Sequence, residues 1–349
     1  MSLFEGIAAR IVESPRLKAN VLYRAGQNDS APAVVFVHGN VSSSLFWQQA
    51  MLDVPADYSV WAIDLRGFGE SETLPVDATR GVRDFSDDIA ATIDALGLGT
   101  VHIVGWSMGG GIVLQYALDH PTLSVTLQAP VSPYGFGGTA VDGIRLTDDD
   151  AGTGGGGANP QFVANLAAGD RDPENPMGAL AVYKSSYVHA GFASDHEDTW
   201  LDSMLSTKTG EDNYPGDAAA SAHWPGFAAG TKGVLNTMTP RYFNVSGIVD
   251  LAVKPPILWI HGDQDAIVSD ASYFDINYLG QVGVIPGWPG EDVAPAQQMI
   301  TQTRAVLDAY AANGGSVTEI VFEGAGHSPH LEQPERFAAA LAQHLRSGV

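Results

Sequence analysis

Ser107 stands in the five-residue stretch Gly105-Trp106-Ser107-Met108-Gly109, where its type and spacing could do nucleophilic chemistry. A short apolar run, Val101–Val104, precedes the stretch, and an amphipathic segment from Gly110 to His120 follows it. Strand, sharp turn and helix are the setting of a nucleophile elbow, in which the turn lifts a hydroxyl above the end of the strand. Gly105 and Gly109 carry no side chain, so strand and helix can approach closely around a strained residue. The backbone N–H of Met108 then points from a helix N-terminus toward whatever Ser107 attacks. Such a serine needs a base, because its hydroxyl is a poor nucleophile until its proton is removed. Two further residues fall just past predicted strands, Asp265 and His327, in the chain order Ser, Asp, His. Together they read as a serine hydrolase.

The elements that must hold these residues alternate. Ile7–Glu13 and Leu17–Arg24 are expected to form an antiparallel pair at a sheet edge, split by Ser14-Pro15. Ala33–Val37 and Val60–Asp64 are apolar runs of the kind buried on both faces of a parallel sheet, the elbow strand is a short apolar run, and Val125–Gln128 is another short strand. Between them, Ser42–Met51, Asp84–Leu96 and the segment after Ser107 read as helices. From about Pro130 to Lys254 the alternation stops, and the chain is rich in Gly, Asp, Pro and aromatic residues. A segment that long has its own substructure, with helices expected at Ala181–Phe192 and Thr199–Leu205. The alternation resumes with a strand at Ile257–Ile260, an irregular stretch at Ser269–Pro295, a helix from about Ala296 to Ala312, a strand at Val317–Phe322 and a closing helix at Glu335–Arg346. Ser107, Asp265 and His327 thus lie beyond the C-terminal ends of strands, where open α/β sheets bind ligands.

Several motifs in this order make the chain similar to the α/β-hydrolase superfamily, and within it to capped serine ester and lactone hydrolases. His38-Gly39-Asn40 matches the superfamily's His-Gly oxyanion turn, and Asp64-Leu65-Arg66-Gly67-Phe68-Gly69-Glu70-Ser71 its D-x-R-G-x-G-x-S loop. Gly262-Asp263-Gln264-Asp265 matches the acid loop, and Gly326-His327 the histidine loop. The motifs span about Ala33 to His344, with the long insertion unmatched. The resemblance implies the α/β-hydrolase fold: a mostly parallel sheet flanked by helices, with a large cap inserted after the strand that follows the elbow. It places a core at 1–130 and 255–349 and a cap, or lid, at 131–254. It implies His327 as base and Asp265 as the acid that fixes its tautomer. Asn40 and Met108 would supply the two N–H donors of an oxyanion hole. The stretch from His38 to Trp47 also resembles the start of haloalkane dehalogenases. Those enzymes and epoxide hydrolases carry Asp at the elbow, so Ser107 selects acyl transfer instead.

Competing readings surround each residue. Asp263 competes with Asp265 for the acid role and is read as capping its loop. His330 is read as a helix-approach or surface residue, and His38 and His261 as structural. Glu323 is expected to point away from His327. Asp148-Asp149-Asp150 has no ligand spacing and reads as a solvated loop rather than a cation site. Gly152–Gly157 lacks the Lys-Ser/Thr of a phosphate loop and reads as a hinge or tight turn. Most insertion aromatics (Tyr134, Phe136, Tyr183, Tyr187, Phe192, Trp200, Trp224, Phe227) should form that segment's own core. Tyr134 and Phe136, which leave the sheet nearest the elbow, are the favoured substrate contacts. Trp106 lies beside the nucleophile and is a further candidate, although in such a turn its side chain more often packs beneath the site.

Composition bounds the function. The 349 residues contain no cysteine, which excludes disulfides and thiolate metal sites. A net charge of −23 repels nucleic-acid phosphates and anionic membranes. No basic-then-apolar leader opens the sequence, and no stretch approaches the roughly 18 apolar residues of a membrane span. The expectation is a cytoplasmic protein without metal or cofactor, acting on a small-molecule ester or lactone of bulky, apolar character. A homo-oligomer is left open. Two alternatives stand beside it: a C–C hydrolase of diketone or dienone substrates using the same triad, and a hydrolase-fold receptor with little turnover.

Overall fold

The computed structural model describes residues 2–347. Eight strands make one sheet: β1 (Ile7–Glu13), β2 (Lys18–Arg24), β3 (Ala33–Val37), β4 (Ser59–Ile63), β5 (His102–Trp106), β6 (Ser124–Gln128), and, after the long insertion, β11 (Ile257–Gly262) and β12 (Val317–Phe322). Their order is β1-β2-β4-β3-β5-β6-β11-β12. β1 pairs antiparallel with β2, and β2 with β4; every other pairing is parallel. β3, β4, β5, β6 and β11 are buried at every residue. Helices cover both faces of such strands, so β3, β4 and β11 read as near-continuous apolar runs, while β6 (Ser-Val-Thr-Leu-Gln) alternates and buries its polar side chains as well. β5 lies at the middle of the sheet, which puts Ser107 at its centre.

The flanking helices are α1 (Gln48–Asp53), α2 (Arg83–Leu96), α3 (Met108–Asp119), α8 (Met299–Ala312) and α10 (Pro334–Ser347). α2 buries Phe85, Ile89 and Ile93, as its spacing requires, and stops at Gly97, whose φ of 69° suits glycine. The helix expected at Ser42–Met51 divides into a 3-10 turn, Ser44–Trp47, and α1. The cause is local: Ser43 Oγ accepts the Leu45 N–H, and Asp64 Oδ1 accepts the Ser44 N–H at 2.7 Å.

Between β6 and β11 the chain forms α4 (Pro160–Ala168), α5 (Ala179–Val182), α6 (Glu197–Leu205) and four short strands, β7 (Thr209–Gly210), β8 (Tyr214–Pro215), β9 (Ala218–Ala220) and β10 (Phe227–Ala229). The helix expected over Ala181–Phe192 is α5 followed by a π turn, Tyr183–Tyr187. α4 was not anticipated, although its signals are in the sequence. Asn159 caps it through the N–H groups of Gln161 and Phe162, Pro160 opens it, and Gly169 closes it at φ 64°. Two short helices, α7 (Ile276–Gln281) and α9 (Pro329–Glu332), complete the set. No helix among the described residues is long and apolar enough to cross a membrane.

The D-x-R-G-x-G-x-S loop is a structural knot beside the site. Asp64 is fully buried and accepts from Ser44 N, Glu70 N and Asn20 Nδ2. Arg66 grips Asp88 of α2 with two hydrogen bonds, Nε–Oδ2 at 2.6 Å and Nη2–Oδ1 at 2.7 Å. Their side chains are only 8% and 2% exposed. Without Asp88, Arg66 keeps Asp84 Oδ2 at 3.4 Å and Pro75 O at 2.9 Å but loses its two shortest bonds. Asp88→Ala is therefore expected to destabilise the fold by about 1.5–3 kcal/mol, measured by urea or guanidinium unfolding.

Candidate active site

Ser107 caps α3 with φ 58° and ψ −122°, a conformation that non-glycine residues rarely adopt. Its backbone is held at both ends. Its N–H donates to Gln128 O at 2.9 Å, and its C=O accepts from Gly110 N at 2.9 Å and Val131 N at 3.1 Å. The flanking glycines are required by space. A Cβ on Gly105 would lie 2.3 Å from Gly109 O, and one on Gly109 would lie 2.4 Å from Val37 O. A Cβ on Gly39 would lie 2.9 Å from Ser107 Cβ, so the turn Gly39-Asn40-Val41 presses directly against the serine. Met108 opens α3, and its N–H is one of the unpaired donors of a helix N-terminus. Asn40 and Met108 both line the cavity that Ser107 faces.

His327 and Asp265 meet from different strand ends. His327 Nδ1 lies 2.8 Å from Asp265 Oδ2, with both side chains almost fully buried. The other carboxylate oxygen, Oδ1, accepts from Ile267 N at 2.8 Å and Val268 N at 2.9 Å. Asp265 is thus aimed by its own backbone turn, and the Nε2 edge of His327 is left for the cavity it shares with Ser107. Asp263 accepts from Gly324 N at 2.7 Å and ties the acid loop to the histidine loop. His38 supports the oxyanion turn: Nδ1 lies 2.8 Å from Gly39 O, and Nε2 accepts the Leu65 N–H at 3.0 Å. Burial pushes His38 below its ordinary value, so it stays neutral. His261 pairs with Glu319 at 2.8 Å, on the side of the sheet edge.

The cavity measures about 460 Å³. Its walls come from the oxyanion turn and elbow, from the insertion (Phe136, Phe162, Met177, Tyr187, Leu235 and Met238 among others) and from Ile267 to Leu279. Of the three substrate contacts expected from sequence, only Phe136 lines it. Trp106 does not. As a β5 residue it projects to the opposite side from its neighbour, is 1% exposed, and donates from Nε1 to His327 O at 2.8 Å. It anchors the histidine loop instead of touching substrate. Tyr134 does not line the cavity either. The chain turns at Gly135 (φ 101°), and the Tyr134 ring packs over Gly143. The walls from Met177 and residues 267–274 come from irregular chain without periodicity, whereas Phe162 comes from α4, whose capping signals stand in the sequence.

His330 lies in the short helix α9, the first of its two expected placements, and is not at the surface. It bonds Gln128 Nε2 at 2.7 Å and Phe46 O at 3.1 Å beneath the site. Burial lowers it to about 3 and His102 to about 4. Both refuse protons that the unfolded chain accepts below about 6.5. Stability therefore rises with pH across this window. As pH falls from about 6.5 toward 4, each of these two histidines is expected to cost about 1.4 kcal/mol per pH unit, measured as a falling urea midpoint.

Gly154–Gly157 forms a packed 3-10 turn on the cavity wall, where a Cβ on Gly155 would lie 2.5 Å from Asp217 O. Asp150 is not solvated: it is fully buried, its Oδ1 paired with Arg145 and its Oδ2 accepting from Arg241 N. Asp148, Asp149 and His223 bring potential metal-ligand atoms within 4.8 Å of one another on the surface. The side chains of Asp148 and His223 are 92% and 51% exposed, the geometry of a solvated acidic loop.

The alpha/beta hydrolase family model matches residues 34–340, from β3 to α10. The chain belongs to the alpha/beta hydrolase family. The matching relatives of this alpha/beta hydrolase include the dihydrolipoyllysine-residue acetyltransferase component of the acetoin cleaving system of Cupriavidus necator, 36% identical over 118 residues. They also include the 2-hydroxy-6-oxo-6-phenylhexa-2,4-dienoate hydrolase of Burkholderia cepacia, 32% identical over 130 residues. These stretches cover 32% and 35% of this chain, and only 29% and 44% of the two relatives. The crystal structure of carboxylesterase CesB (YbfK) from Bacillus subtilis is similar over 98% of this chain and 93% of that one, with a TM-score of 0.60 and 15% identity. At that identity the likeness is one of fold.

Proposed function

We propose that this alpha/beta hydrolase is a serine hydrolase that cleaves an uncharged carboxylic ester or lactone of bulky, apolar character through an acyl-enzyme. One observation carries the reading: Ser107 and the Asp265-paired His327 share a cavity whose walls, among the described residues, include no Asp, Glu, Lys or Arg. His327 Nε2 takes the Ser107 proton as Oγ attacks the carbonyl carbon. The oxyanion is met by the N–H groups of Asn40 and Met108. His327 then returns the proton to the leaving alkoxide, which departs as an alcohol. Water enters, loses a proton to His327, and attacks the acyl-enzyme. The acid is released and Ser107 recovers its proton. Asp265 stays ionised throughout and stabilises the imidazolium. Residues 131–254 act as the cap over this chemistry, on a core of 1–130 and 255–349. A cytoplasmic setting fits the cysteine-free sequence.

The second reading, C–C hydrolysis, is supported by the dienoate hydrolase among the relatives. A dienoate brings a carboxylate into the site, and the charge-free walls offer it no cation. The ester reading is therefore preferred. A panel of nitrophenyl esters, lactones and diketones tests it. Neutral esters are expected to turn over, and a phosphonate ester to label Ser107. An acyl chain ending in a free carboxylate is expected to lose about a hundredfold or more in kcat/KM, because its charge is desolvated without a partner. Inert esters beside an active diketone would hand the function to C–C cleavage. A lack of any multiple turnover would leave a ligand receptor.

A further inference from the structure

At Tyr187-Val188-His189, where the π turn ends, the insertion touches both the oxyanion turn and the histidine loop. The Tyr187 hydroxyl donates to Asn40 O at 2.9 Å and lies 3.3 Å from Val41 O. Burial pushes this phenol upward, so it remains protonated and acts as a donor. Val41 needs such a hold: it is β-branched and sits at φ 44°, a left-handed conformation it would leave if free. The Asn40 N–H belongs to the same turn.

Two residues later, His189 makes a second hold. Its N–H and its Nδ1 lie 2.7 and 2.6 Å from Glu332 Oε2. The side chain of Glu332 is 1% exposed, and its carboxylate also accepts from Gly326 N at 2.9 Å and Ser328 N at 3.3 Å. Those two residues bracket His327. The fit is close, since a Cβ on Gly326 would lie 2.7 Å from His189 N. The Tyr187 ring also meets the His327 ring edge-on, with centroids 6.1 Å apart.

We propose that Tyr187 and His189 are positioning residues for catalysis: this stretch of the insertion clamps the oxyanion turn through Asn40 and the histidine loop through Glu332. The insertion then completes the active site as well as roofing it. A chain whose insertion lifts away loses the oxyanion geometry together with its cover. The inference rests on the acyl-transfer reading.

Tyr187→Phe tests it, because the ring and the cavity wall remain and only the hydroxyl goes. With a neutral nitrophenyl ester, kcat is expected to fall about ten- to hundredfold with KM changed less than about threefold, as for a donor displaced rather than removed. The second-order rate of Ser107 labelling by a nitrophenyl phosphonate, which builds charge on the same oxygen, is expected to fall in parallel. His189→Ala, which leaves Tyr187 intact, is expected to lower kcat about five- to tenfold through the histidine loop. Retention of wild-type kcat and labelling rate by both variants would overturn the clamp, as would losses confined to KM. Wild-type protein that neither turns over esters nor labels at Ser107 would instead overturn the acyl-transfer reading.

Discussion

Ser107→Ala is expected to lower kcat for a neutral nitrophenyl ester by about 10⁶-fold, leaving a residue of about 10³-fold over buffer. The loss is large because nucleophile, base and acid act as one unit, and no other hydroxyl can take the place of Ser107 Oγ at the elbow. The turn is built for one side chain at one position: Gly105, Gly109 and Gly39 close around it with no room for a Cβ. The residual rate belongs to the Asn40 and Met108 N–H groups and to binding in the cavity. The substitution spares the fold, since the contacts of Ser107 with Gln128, Gly110 and Val131 are made by its backbone. Single-turnover kinetics with a fluorogenic ester, alongside a thermal melt, measures both statements. A variant within about tenfold of wild type would exclude Ser107 as the nucleophile.

Asp265→Asn is expected to cost about 10⁴-fold in kcat with little change in KM. The reason is a tautomer. Oδ1 is occupied by the N–H groups of Ile267 and Val268, so an asparagine keeps its oxygen there and presents its NH₂ to His327 Nδ1. Nδ1 must then accept, and the ring proton moves to Nε2, the nitrogen that has to receive the Ser107 proton. Asp263→Asn is expected to change kcat far less, because Asp263 binds Gly324 N and does not touch His327. The contrast between the two aspartates, read by steady-state kinetics at neutral pH, separates acid from loop tie.

Much of the fold is legible in the amino-acid sequence. β3, β4 and β11 are near-continuous apolar runs because helices cover both their faces, and runs of that kind stand out from their surroundings. The elbow was legible because its glycines answer to backbone collisions that hold wherever such a turn is made. Asp265 and His327 could be proposed because each follows a strand end in a fixed chain order. Element ends were harder. Ser44–Trp47 forms a 3-10 turn in which Asp64, twenty residues away, takes the Ser44 N–H beside the local Ser43 cap.

Side-chain direction is where the sequence ran out. Trp106 and Ser107 are neighbours, yet one faces the cavity and the other lies under the histidine loop, a consequence of strand alternation ending in a strained turn. Tyr134 and Phe136 differ by two residues, and the turn at Gly135 decides which meets the cavity. His330 reads as a helix-approach or surface residue and is buried, with Gln128 and Phe46, both distant in the chain, bonded to it. The sequence by itself determined the sheet, the elbow and the chemical types of nucleophile, base and acid, since those depend on local periodicity and on glycine's missing Cβ. Only the tertiary structure decided the charge-free cavity and the hold of Tyr187 and His189 on the catalytic loops. Those contacts join residues about 140 positions apart through irregular chain, where no repeat in the sequence records which groups will meet.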